Sequence, residues 1–390
     1  MGTQVSDEAK RRARLDRLLS EDPVAARSRA VAEADRRIAG RGIVLHGCGQ
    51  MGRKLARVLA QDGRPAIAFS DSDSAKHGSV VEGIEVLSAA SAVEQFGDSA
   101  AFVVSKWSPG DGYLDVERQL LDLGARTVVP LPVLIWRYHD EMLPHYLFVL
   151  PDELLEHADE ILVAYQLLAD AESRGQFLGQ LEWRLTLDYH ALAKPRPLAT
   201  QYFEPGIIAL GNSEIFADCG AFDGDTLASF LRETGGDFDR AFAFEPDPDT
   251  YQRLADYVSG LPTDVCTRIS ATDAAVGDEE CVLHFDGAGS TSAKVTDTGE
   301  IEVRCIRLDD AIEHATYIKM DIEGAETGAI LGARRLLEDP ATRLAVSIYH
   351  TPTDFFRLIT LVRQVKPNAV LRCRGYEVDG LDFVLYATPE

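Results

Sequence analysis

The sequence predicts an α/β protein made of two doubly wound, Rossmann-like domains with a helical connector between them. Three observations support this prediction. Apolar runs of strand length alternate with amphipathic helical segments in both halves of the 390-residue chain, as in parallel sheets covered by helices. A glycine-rich turn follows the first strand of each half, at Gly47 and at Gly220. The last two strands, near 369–373 and 382–387, have no helix between them, so they are predicted to form an antiparallel hairpin at the edge of the second sheet.

The pattern of elements divides the chain into four segments. Residues 1–40 mix charged and small apolar residues and predict one or two helices, with a break near 20–23. Two roles fit this helical segment: packing within the chain, or assembly of a homo-oligomer. Residues 41–145 predict the first Rossmann-like domain, residues 146–200 the helical connector, and residues 201–390 the second domain.

The predicted strands of the second domain are short apolar runs bounded by turn residues. Because helical segments separate most of them, their carboxyl ends are expected to meet at one edge of a parallel sheet, where ligands bind. The small polar segment 287–292 lies between two of these strands and is either a loop at the substrate or a solvated turn. The strands are predicted at 215–219, 241–245, 266–270, 281–286, 301–306, 316–320 and 343–349, followed by the hairpin.

The composition excludes several classes of partner and compartment. The net charge is −24, which opposes binding to nucleic acid. No run approaches the ~18 apolar residues of a membrane-spanning helix, and the charged N-terminus lacks the apolar core of a secretory signal. We therefore expect a cytoplasmic protein that does not bind membranes. The six cysteines form no CxxC pair and are predicted to be buried small residues rather than zinc ligands or disulfides.

The first turn of the second domain has the residues needed to hold an amino-acid headgroup. The strand at 215–219 contains Asp218 and leads through Gly220 and Gly224 into a helix. Glycines allow a ligand to approach the backbone closely, and the amides at the start of the helix can bind a carboxylate. Asp218 or Asp223 can accept hydrogen bonds from an ammonium group.

An acidic residue also ends the next strand. Glu245 follows Gly224 by 21 residues, and a carboxylate in this position can bind both hydroxyls of a ribose. Glu245 can alternatively cap the helix that begins at Pro248. In this order and at this spacing, the turn and Glu245 favour S-adenosyl-L-methionine as the ligand, because that cofactor joins an amino acid to a nucleoside.

The sequence resembles the FkbM-type methyltransferases. The resemblance extends from Gln201 to Ala387, and its lead-in Gln201-Tyr-Phe203 fits a subgroup of that family. It implies a class I methyltransferase fold and an O-methyltransferase that uses S-adenosyl-L-methionine to act on a hydroxyl of a sugar, nucleotide-sugar or natural product. The motifs are Glu214-Ile-Phe-Ala-Asp-Cys-Gly-Ala-Phe-Asp-Gly-Asp-Thr226, Phe244-Glu-Pro-Asp247, Ala274-Ala-Val-Gly277, Tyr317-Ile-Lys-Met-Asp-Ile-Glu-Gly-Ala-Glu326, and Ser347-Ile-Tyr-His350 with Asp354.

The resemblance also implies which residues bind the cofactor. Glu245 would hold the ribose, and Asp273 and Ala274 would lie near the adenine. Asp223, Thr226 and Pro246 would belong to the same site. The methionine end would be lined by Asp218, Gly220, Ala221, Phe222 and Gly224.

A cluster of charged residues follows the predicted fourth and fifth parallel strands. Lys319, Asp321 and Glu323 end the fourth strand, and His350 ends the fifth. Transfer of a methyl group to a neutral hydroxyl is helped by a base or a metal. We predict that His350 is the general base, since a histidine pKa of ~6.5 suits proton acceptance near neutrality. Asp321 is predicted to orient His350 or the substrate.

Other interpretations of this charged cluster stay open. His350 can instead be a packed, hydrogen-bonded residue at the end of a strand. Asp321 and Glu323, together with an imidazole, can hold Mg²⁺ or Mn²⁺; we rank this below base catalysis and predict no metal. Lys319 can simply pair with Glu323 or Glu326.

The first domain carries a dinucleotide-binding pattern. Gly47, Gly49 and Gly52 lie between a strand and a helix, and Asp71 follows 19 residues later. This segment also resembles the nucleotide-binding domain that precedes sugar-modifying acetyltransferases and some sugar methyltransferases, which implies binding of a nucleotide-sugar or a scaffold role. The alternative functions are an NAD(P)-binding oxidoreductase or bifunctional enzyme, and a non-catalytic assembly protein. The second resemblance is carried by Ser72-Asp73, His77-Gly78 and Gly83-Ile-Glu-Val-Leu87.

Overall fold

A computed structural model of the protein describes residues 2–106, 110–286, 294–295 and 301–390. The chain divides into two compact units, each with its own mainly parallel sheet, which confirms the predicted α/β class with two Rossmann-like sheets. The segment 287–292 lies outside the described residues. The first unit comprises Met1–Ala158, Leu178–Lys194 and Glu377–Leu381, and the second comprises Asp159–Phe177, Pro195–Tyr376 and Asp382–Glu390.

The first unit contains a six-stranded sheet. Its strands are β1 (Gly42–His46), β2 (Ala68–Ser70), β3 (Val80–Val81), β4 (Ile84–Leu87), β5 (Ala100–Val104) and β6 (Val128–Pro130). They lie in the order β3-β4-β2-β1-β5-β6, and every neighbouring pair is parallel except β3 with β4. The central strands β1 and β5 are buried along nearly their whole length, which is why both are continuous apolar runs in the sequence.

The helices of the first unit begin with the two that the sequence predicts at the N-terminus. Asp22 accepts a hydrogen bond from the amide of Ala25, and Pro23 occupies the first helical position. The second helix buries Ala26, Ala30, Ala34 and Ile38 at four-residue spacing within the unit. The helices are α1 (Gly2–Leu19), α2 (Pro23–Ile38), α3 (Gln50–Gln61), α4 (Ala89–Phe96), α5 (Tyr113–Leu123), α6 (Leu131–Arg137), α7 (His139–Met142) and α8 (Pro151–Leu155).

Two longer helices follow, α9 (Ala158–Leu167) and α10 (Ala171–Thr186). The first half of α10 belongs to the second unit, where Ser173 Oγ accepts a hydrogen bond from the amide of Cys373 at 3.0 Å. Three short 3₁₀ segments occur at Ser74–Lys76, Tyr189–Ala191 and Leu198–Thr200. Every helix in the described part of the chain is too short or too polar to cross a membrane.

The second unit contains the sheet that positions the candidate site. The seven strands of this sheet are β7 (Ile215–Cys219), β8 (Arg240–Phe244), β9 (Ile269–Thr272), β14 (Tyr317–Met320), β15 (Arg343–Ser347), β16 (Val370–Gly375) and β17 (Phe383–Thr388). A smaller sheet is formed by β10 (Ala275–Val276), β11 (Cys281–Asp286), β12 (Lys294–Val295) and β13 (Ile301–Ile306). The large sheet has the order β16-β17-β15-β14-β7-β8-β9.

The last two strands form the predicted antiparallel hairpin at the edge of the large sheet. β17 runs antiparallel to both β15 and β16, whereas the five strands from β15 to β9 are parallel to one another. The carboxyl ends of β7, β8, β14 and β15 therefore lie at one edge, as predicted.

The second unit differs from the prediction at two places. The strands predicted at 281–286 and 301–306 pair antiparallel in the smaller sheet rather than joining the large parallel one. Residues 266–270 are predicted to form a strand, but Cys266 ends a short helix and the strand begins at Ile269. Pro262 is the N-cap residue of this turn of helix, and the strand follows three residues later than predicted. The helices are α11 (Asp225–Thr234), α12 (Pro248–Ser259), α13 (Thr263–Cys266), α14 (Leu308–Ala311), α15 (Glu326–Gly332), α16 (Arg334–Glu338) and α17 (Asp354–Val365).

The cysteines form no disulfide. All six are free, and four of them are buried, as expected for small apolar residues in the two cores.

Candidate active site

The glycine turn, residues 220–224, connects β7 to α11 in a left-handed backbone conformation. Gly220, Phe222 and Gly224 have φ values of +77°, +49° and +94°. A Cβ atom at Gly220 would overlap the carbonyl oxygen of Asp321, just after β14. Only glycine therefore lets the turn lie against the end of β14, and this contact brings the glycine turn and the charged cluster together.

Gly220→Ala is expected to destabilise the second unit by about 2–4 kcal/mol, because it combines an unfavourable φ with a backbone overlap. Scanning calorimetry should show this as a lower Tm for that unit. Gly235→Ala is the matched control, since Gly235 also has a positive φ of +62° but no atom within 4 Å of an added Cβ. An equal loss of Tm in both variants would contradict the proposed close contact at Gly220.

Glu245 holds the glycine turn from the neighbouring strand. Its Oε2 accepts the amide of Phe222 at 2.9 Å, and its Oε1 accepts the amide of Asp247 at 3.0 Å. Burial raises the pKa of Glu245, and these two amides act in the opposite direction. Each oxygen keeps another lone pair that can accept a hydrogen bond. The cap of α12 is Asp247, which accepts the amide of Thr250 at 2.8 Å, so the alternative that Glu245 caps this helix is wrong.

The other residues predicted to bind the cofactor differ in accessibility. The side chains of Asp218 and Ala274 are fully buried, so neither presents a free surface to a ligand. Asp223 is partly exposed and Asp273 is exposed, so both carboxylates are accessible. The N-cap residue of α11, Gly224, has no side chain to cap the helix, and Asp225 Oδ1 accepts the amide of Thr226 at 2.6 Å. The remaining predicted residues lie in the glycine turn or directly beside it: Gly220, Ala221, Phe222, Thr226 and Pro246.

Asp218 forms a buried ion pair with Lys319. Lys319 Nζ lies 3.0 Å from Asp218 Oδ1 and donates to the carbonyl oxygen of Gly220 at 2.6 Å. Burial lowers the pKa of Lys319, but Asp218 outweighs burial and raises it. Burial also raises the pKa of Asp218 to about 6, although Lys319 acts against this. Lys319 thus pairs with Asp218. One alternative from the sequence had named Glu323 or Glu326 as its partner instead.

Lys319→Met is expected to lower the free energy of unfolding of the second unit by about 3–5 kcal/mol, because it leaves a buried carboxylate without its counter-ion. Asp218→Asn in the same chain should recover part of this loss, since it removes the uncompensated charge. Calorimetric Tm values for the two single variants and the double variant test this coupling. Strictly additive losses would contradict a direct buried pair.

His350 lies between carboxylates on both sides of its ring. Its Nδ1 is 2.8 Å from Glu326 Oε1, and its Nε2 is 3.3 Å from Asp321 Oδ1 and 4.0 Å from Glu323 Oε2. Burial disfavours the charged ring, but Glu326 and Asp321 outweigh burial and raise the pKa of His350 well above its usual value. This direction disfavours the expectation that His350 is a neutral base near neutrality, which relied on the ordinary histidine pKa.

Asp321 is held by residues that the sequence does not single out. Tyr202 Oη donates to Asp321 Oδ2 at 2.8 Å and lies 3.2 Å from Ser347 Oγ. Burial alone would raise the pKa of Asp321, but His350, Lys319 and this hydrogen bond hold it well below its usual range. The one signal for Tyr202 in the sequence is its place in the lead-in motif of the family resemblance.

The cluster combines groups that can act on a hydroxyl compound. An ionised carboxylate, Asp321, is placed beside a charged imidazole and a tyrosine hydroxyl. This arrangement can accept a hydrogen bond from a substrate and take up its proton. Single ligand atoms of Asp321, Glu326 and His350 also lie within 4.8 Å of one another, so the cluster has the residue types that hold a hard divalent cation.

The glycine pattern of the first unit also forms a strand, a turn and a helix. Gly47 has a φ of +113°, and a Cβ at Gly52 would overlap the carbonyl oxygen of Gly47. Asp71 follows β2, and its Oδ2 accepts the amide of Cys48 at 3.0 Å and Lys76 Nζ at 3.2 Å. The turn has the geometry of a nucleotide-binding site, but the carboxylate expected to hold a ribose is already engaged within the protein.

The second unit has the sheet order and the glycine turn of a Rossmann-like methyltransferase fold. Residues 218–377 match the family model described as the methyltransferase FkbM domain. The protein therefore carries an FkbM methyltransferase domain. No curated protein matches the sequence.

Solved structures resemble the chain to different extents. The crystal structure of methyltransferase FkbM from Methylobacillus flagellatus KT is 23% identical, with a TM-score of 0.77 over 98% of this chain and 99% of that chain. This similarity shows a shared fold along nearly the whole chain. UDP-D-quinovosamine 4-dehydrogenase from Vibrio fischeri is 21% identical, with a TM-score of 0.21 over 24% of this chain and 78% of that chain. A putative rRNA methylase from Clostridium thermocellum is 11% identical, with a TM-score of 0.34 over 51% of this chain and 99% of that chain. Neither of these two lower scores supports an inference.

Proposed function

We propose that the protein is an S-adenosyl-L-methionine-dependent O-methyltransferase that acts on a hydroxyl of a sugar, nucleotide-sugar or natural-product small molecule. The observation that supports this most strongly is Glu245, within an FkbM domain. Its Oε2 holds the glycine turn through Phe222, its Oε1 accepts the amide of Asp247, and both oxygens retain lone pairs for the hydroxyls of a ribose. We propose residues 201–390 as the catalytic domain, preceded by the segments 1–40, 41–145 and 146–200.

The accessible groups around Glu245 fit the remaining parts of the cofactor. The positive end of the α11 dipole suits the carboxylate of the methionine end, and the carboxylate of Asp223 suits its ammonium group. The exposed Asp273 follows β9, next to Glu245 in the sheet, and suits the exocyclic amine of an adenine. Asp218 and Lys319 are both buried, and we propose that this pair supports the glycine turn without contacting the cofactor. When bound, the cofactor supplies a methyl group activated by a sulfonium.

Asp321 is the proposed acceptor of the hydroxyl proton. It is ionised, and its low pKa makes it a weak base, so it acts best when the proton leaves as the methyl group is transferred. His350 keeps Asp321 ionised by its positive charge, and Tyr202 fixes one of the two carboxylate oxygens. Glu323, at the same edge, is a further carboxylate for orienting a polyhydroxylated acceptor.

The first unit is proposed to bind a nucleotide group or to serve as a scaffold. Space is open beside Gly49 in its glycine turn, and no side chain caps the start of α3, so a phosphate can approach there. The engagement of Asp71 by Cys48 and Lys76 is less favourable to a dinucleotide held by its ribose. Calorimetric titrations with UDP and with NADH distinguish a nucleotide handle, NAD(P) binding and a scaffold that binds neither.

The proposed reaction is tested by incubating the full chain with S-adenosyl-L-methionine and a panel of sugars, nucleotide-sugars and hydroxylated natural products. Mass spectrometry should detect a product heavier by one methyl group, and fragmentation should place that group on oxygen. A methyl group found on nitrogen would contradict the proposed acceptor chemistry. Formation of no methylated product, in a protein that binds the cofactor, would contradict the proposed acceptor classes.

A further inference from the structure

We propose that the charged cluster binds a divalent cation of the Mg²⁺ or Mn²⁺ type, held by Asp321, Glu323 and His350 Nε2, which gives up its proton when the ion binds. The site deepens the proposed function, because such an ion would bind the acceptor hydroxyl and lower its pKa. Cation binding itself, however, does not depend on methyl transfer. The two can therefore be tested separately.

His350 is fixed in the orientation that a metal ligand requires. Its Nδ1 is 2.8 Å from Glu326 Oε1, and the two side chains are only 2% and 1% exposed. Glu326 Oε1 also accepts the amide of Ile322 at 3.0 Å, so the carboxylate cannot turn away. A carboxylate on one ring nitrogen commonly sets the tautomer and the direction of a histidine whose other nitrogen binds a metal. Here that other nitrogen, Nε2, faces Asp321 and Glu323.

Nε2 has no hydrogen-bond partner among the described residues, and neither has Asp321 Oδ1. The two atoms are 3.3 Å apart, close enough for an ion pair but without the alignment of a hydrogen bond. A buried nitrogen and a carboxylate oxygen that converge without bonding each other both suit a cation between them. This buried, unpartnered nitrogen points to a ligand independently of the acidic residues around it.

The two distances from His350 Nε2 are also compatible with ligands of one small ion. Ligands about 2.1 Å from a metal are about 3.0 Å apart when adjacent and about 4.2 Å apart when opposite. Nε2 lies 3.3 Å from Asp321 Oδ1 and 4.0 Å from Glu323 Oε2, so small side-chain movements reach both spacings. Two carboxylates and one imidazole suit Mn²⁺ or Mg²⁺, with water or substrate oxygen completing the shell.

The charge balance favours a cation at the same place. Lys319 pairs with Asp218 at 3.0 Å, and the carboxylates of Asp321 and Glu326 lie on either side of one imidazole. Asp354, at the start of α17, interacts electrostatically with Glu326 and His350 and adds a further acidic group. The excess of negative charge in a largely buried site is reduced when a divalent ion binds.

The test uses the full chain, freed of metal with a chelator and titrated with Mn²⁺ while electron paramagnetic resonance follows the free ion. We expect a single Mn²⁺ bound per chain, displaced by excess Mg²⁺. Asp321→Asn, which preserves shape, and Glu326→Gln, which removes the orienting charge, should each weaken binding by about 10–100-fold. Glu280→Gln, in the exposed acidic run 278–280, is the matched control and should leave binding unchanged.

Three outcomes would overturn the cation site: no stoichiometric Mn²⁺ binding, unchanged binding in Asp321→Asn, or an equal loss in Glu280→Gln. Folding of each variant is checked by its Tm and by calorimetric binding of S-adenosylhomocysteine. Because this ligand tests the proposed cofactor site alone, its binding without Mn²⁺ binding would reject the cation and keep the methyltransferase proposal. Mn²⁺ binding without S-adenosylhomocysteine binding would keep the cation site and reject the proposed methyltransferase.

Discussion

Asp321→Asn is expected to lower kcat for methyl transfer by about 10²–10⁴-fold, the usual contribution of a positioned proton acceptor. The amide cannot accept the hydroxyl proton, and it weakens the attraction to His350, whose Nε2 lies 3.3 Å away. The shape of the side chain is preserved, so Tyr202 can still bond to it. The measurement is kcat and KM for methyl transfer under saturating S-adenosyl-L-methionine.

The control for this prediction is Asp310→Asn, the same chemical change at a carboxylate that is 69% exposed and pairs with Arg307 on the surface. Its kcat should equal that of the unmodified protein. Binding of S-adenosylhomocysteine should be preserved in both variants, because Asp321 is not assigned to the cofactor. If Asp321→Asn retained full kcat, its assignment as proton acceptor would be wrong, whereas the cofactor site would be unaffected.

Glu245→Gln is expected to weaken binding of S-adenosylhomocysteine by about 10–100-fold, since hydrogen bonds to a charged group contribute about 1.5–3 kcal/mol. The new amide group also directs a donor at the backbone amide of Phe222 or Asp247, where the carboxylate now accepts. The glycine turn should therefore loosen as well. Isothermal titration calorimetry on the full chain gives the change in Kd.

Glu233→Gln is the matched control for Glu245→Gln, because Glu233 lies on α11 with its side chain 46% exposed. It should bind the ligand as the unmodified protein does. Unchanged Kd in Glu245→Gln, with an unchanged Tm, would show that the ribose is held elsewhere and would reject the central residue of the proposed site.

The sequence predicts the fold well because its signals are local. Strand-length apolar runs, glycine turns and the missing helix before β17 each depend on residues that are neighbours in the chain. The error at 266–270 arises from the same dependence. Local signals fix the boundaries of elements less well than their existence, and here the strand begins three residues later than predicted because Thr263–Cys266 first form a turn of helix.

The cofactor half of the site is predicted better than the acceptor half. Glu245 and the glycine turn lie at the ends of adjacent strands, so the order of elements alone brings them together. The sequence cannot show that Asp218 is buried against Lys319, because that pair depends on the register of β7 with β14.

Residues from distant segments of the chain also influence the protonation state of His350. Glu326 begins a helix 24 residues before His350 and bonds to its ring, while Tyr202 reaches Asp321 from a segment 119 residues earlier. Neither is chosen as a site residue by motif reasoning. Their charges and hydrogen bonds change the protonation expected for the cluster, which is why we propose Asp321 rather than His350 as the proton acceptor.

We propose that the glycine turn and Glu245 bind S-adenosyl-L-methionine, and titration of the full chain with S-adenosylhomocysteine in a calorimeter tests this proposal. We expect saturable binding of a single ligand molecule per chain. Absence of binding at millimolar ligand, in protein whose melting shows that it is folded, would contradict the claim.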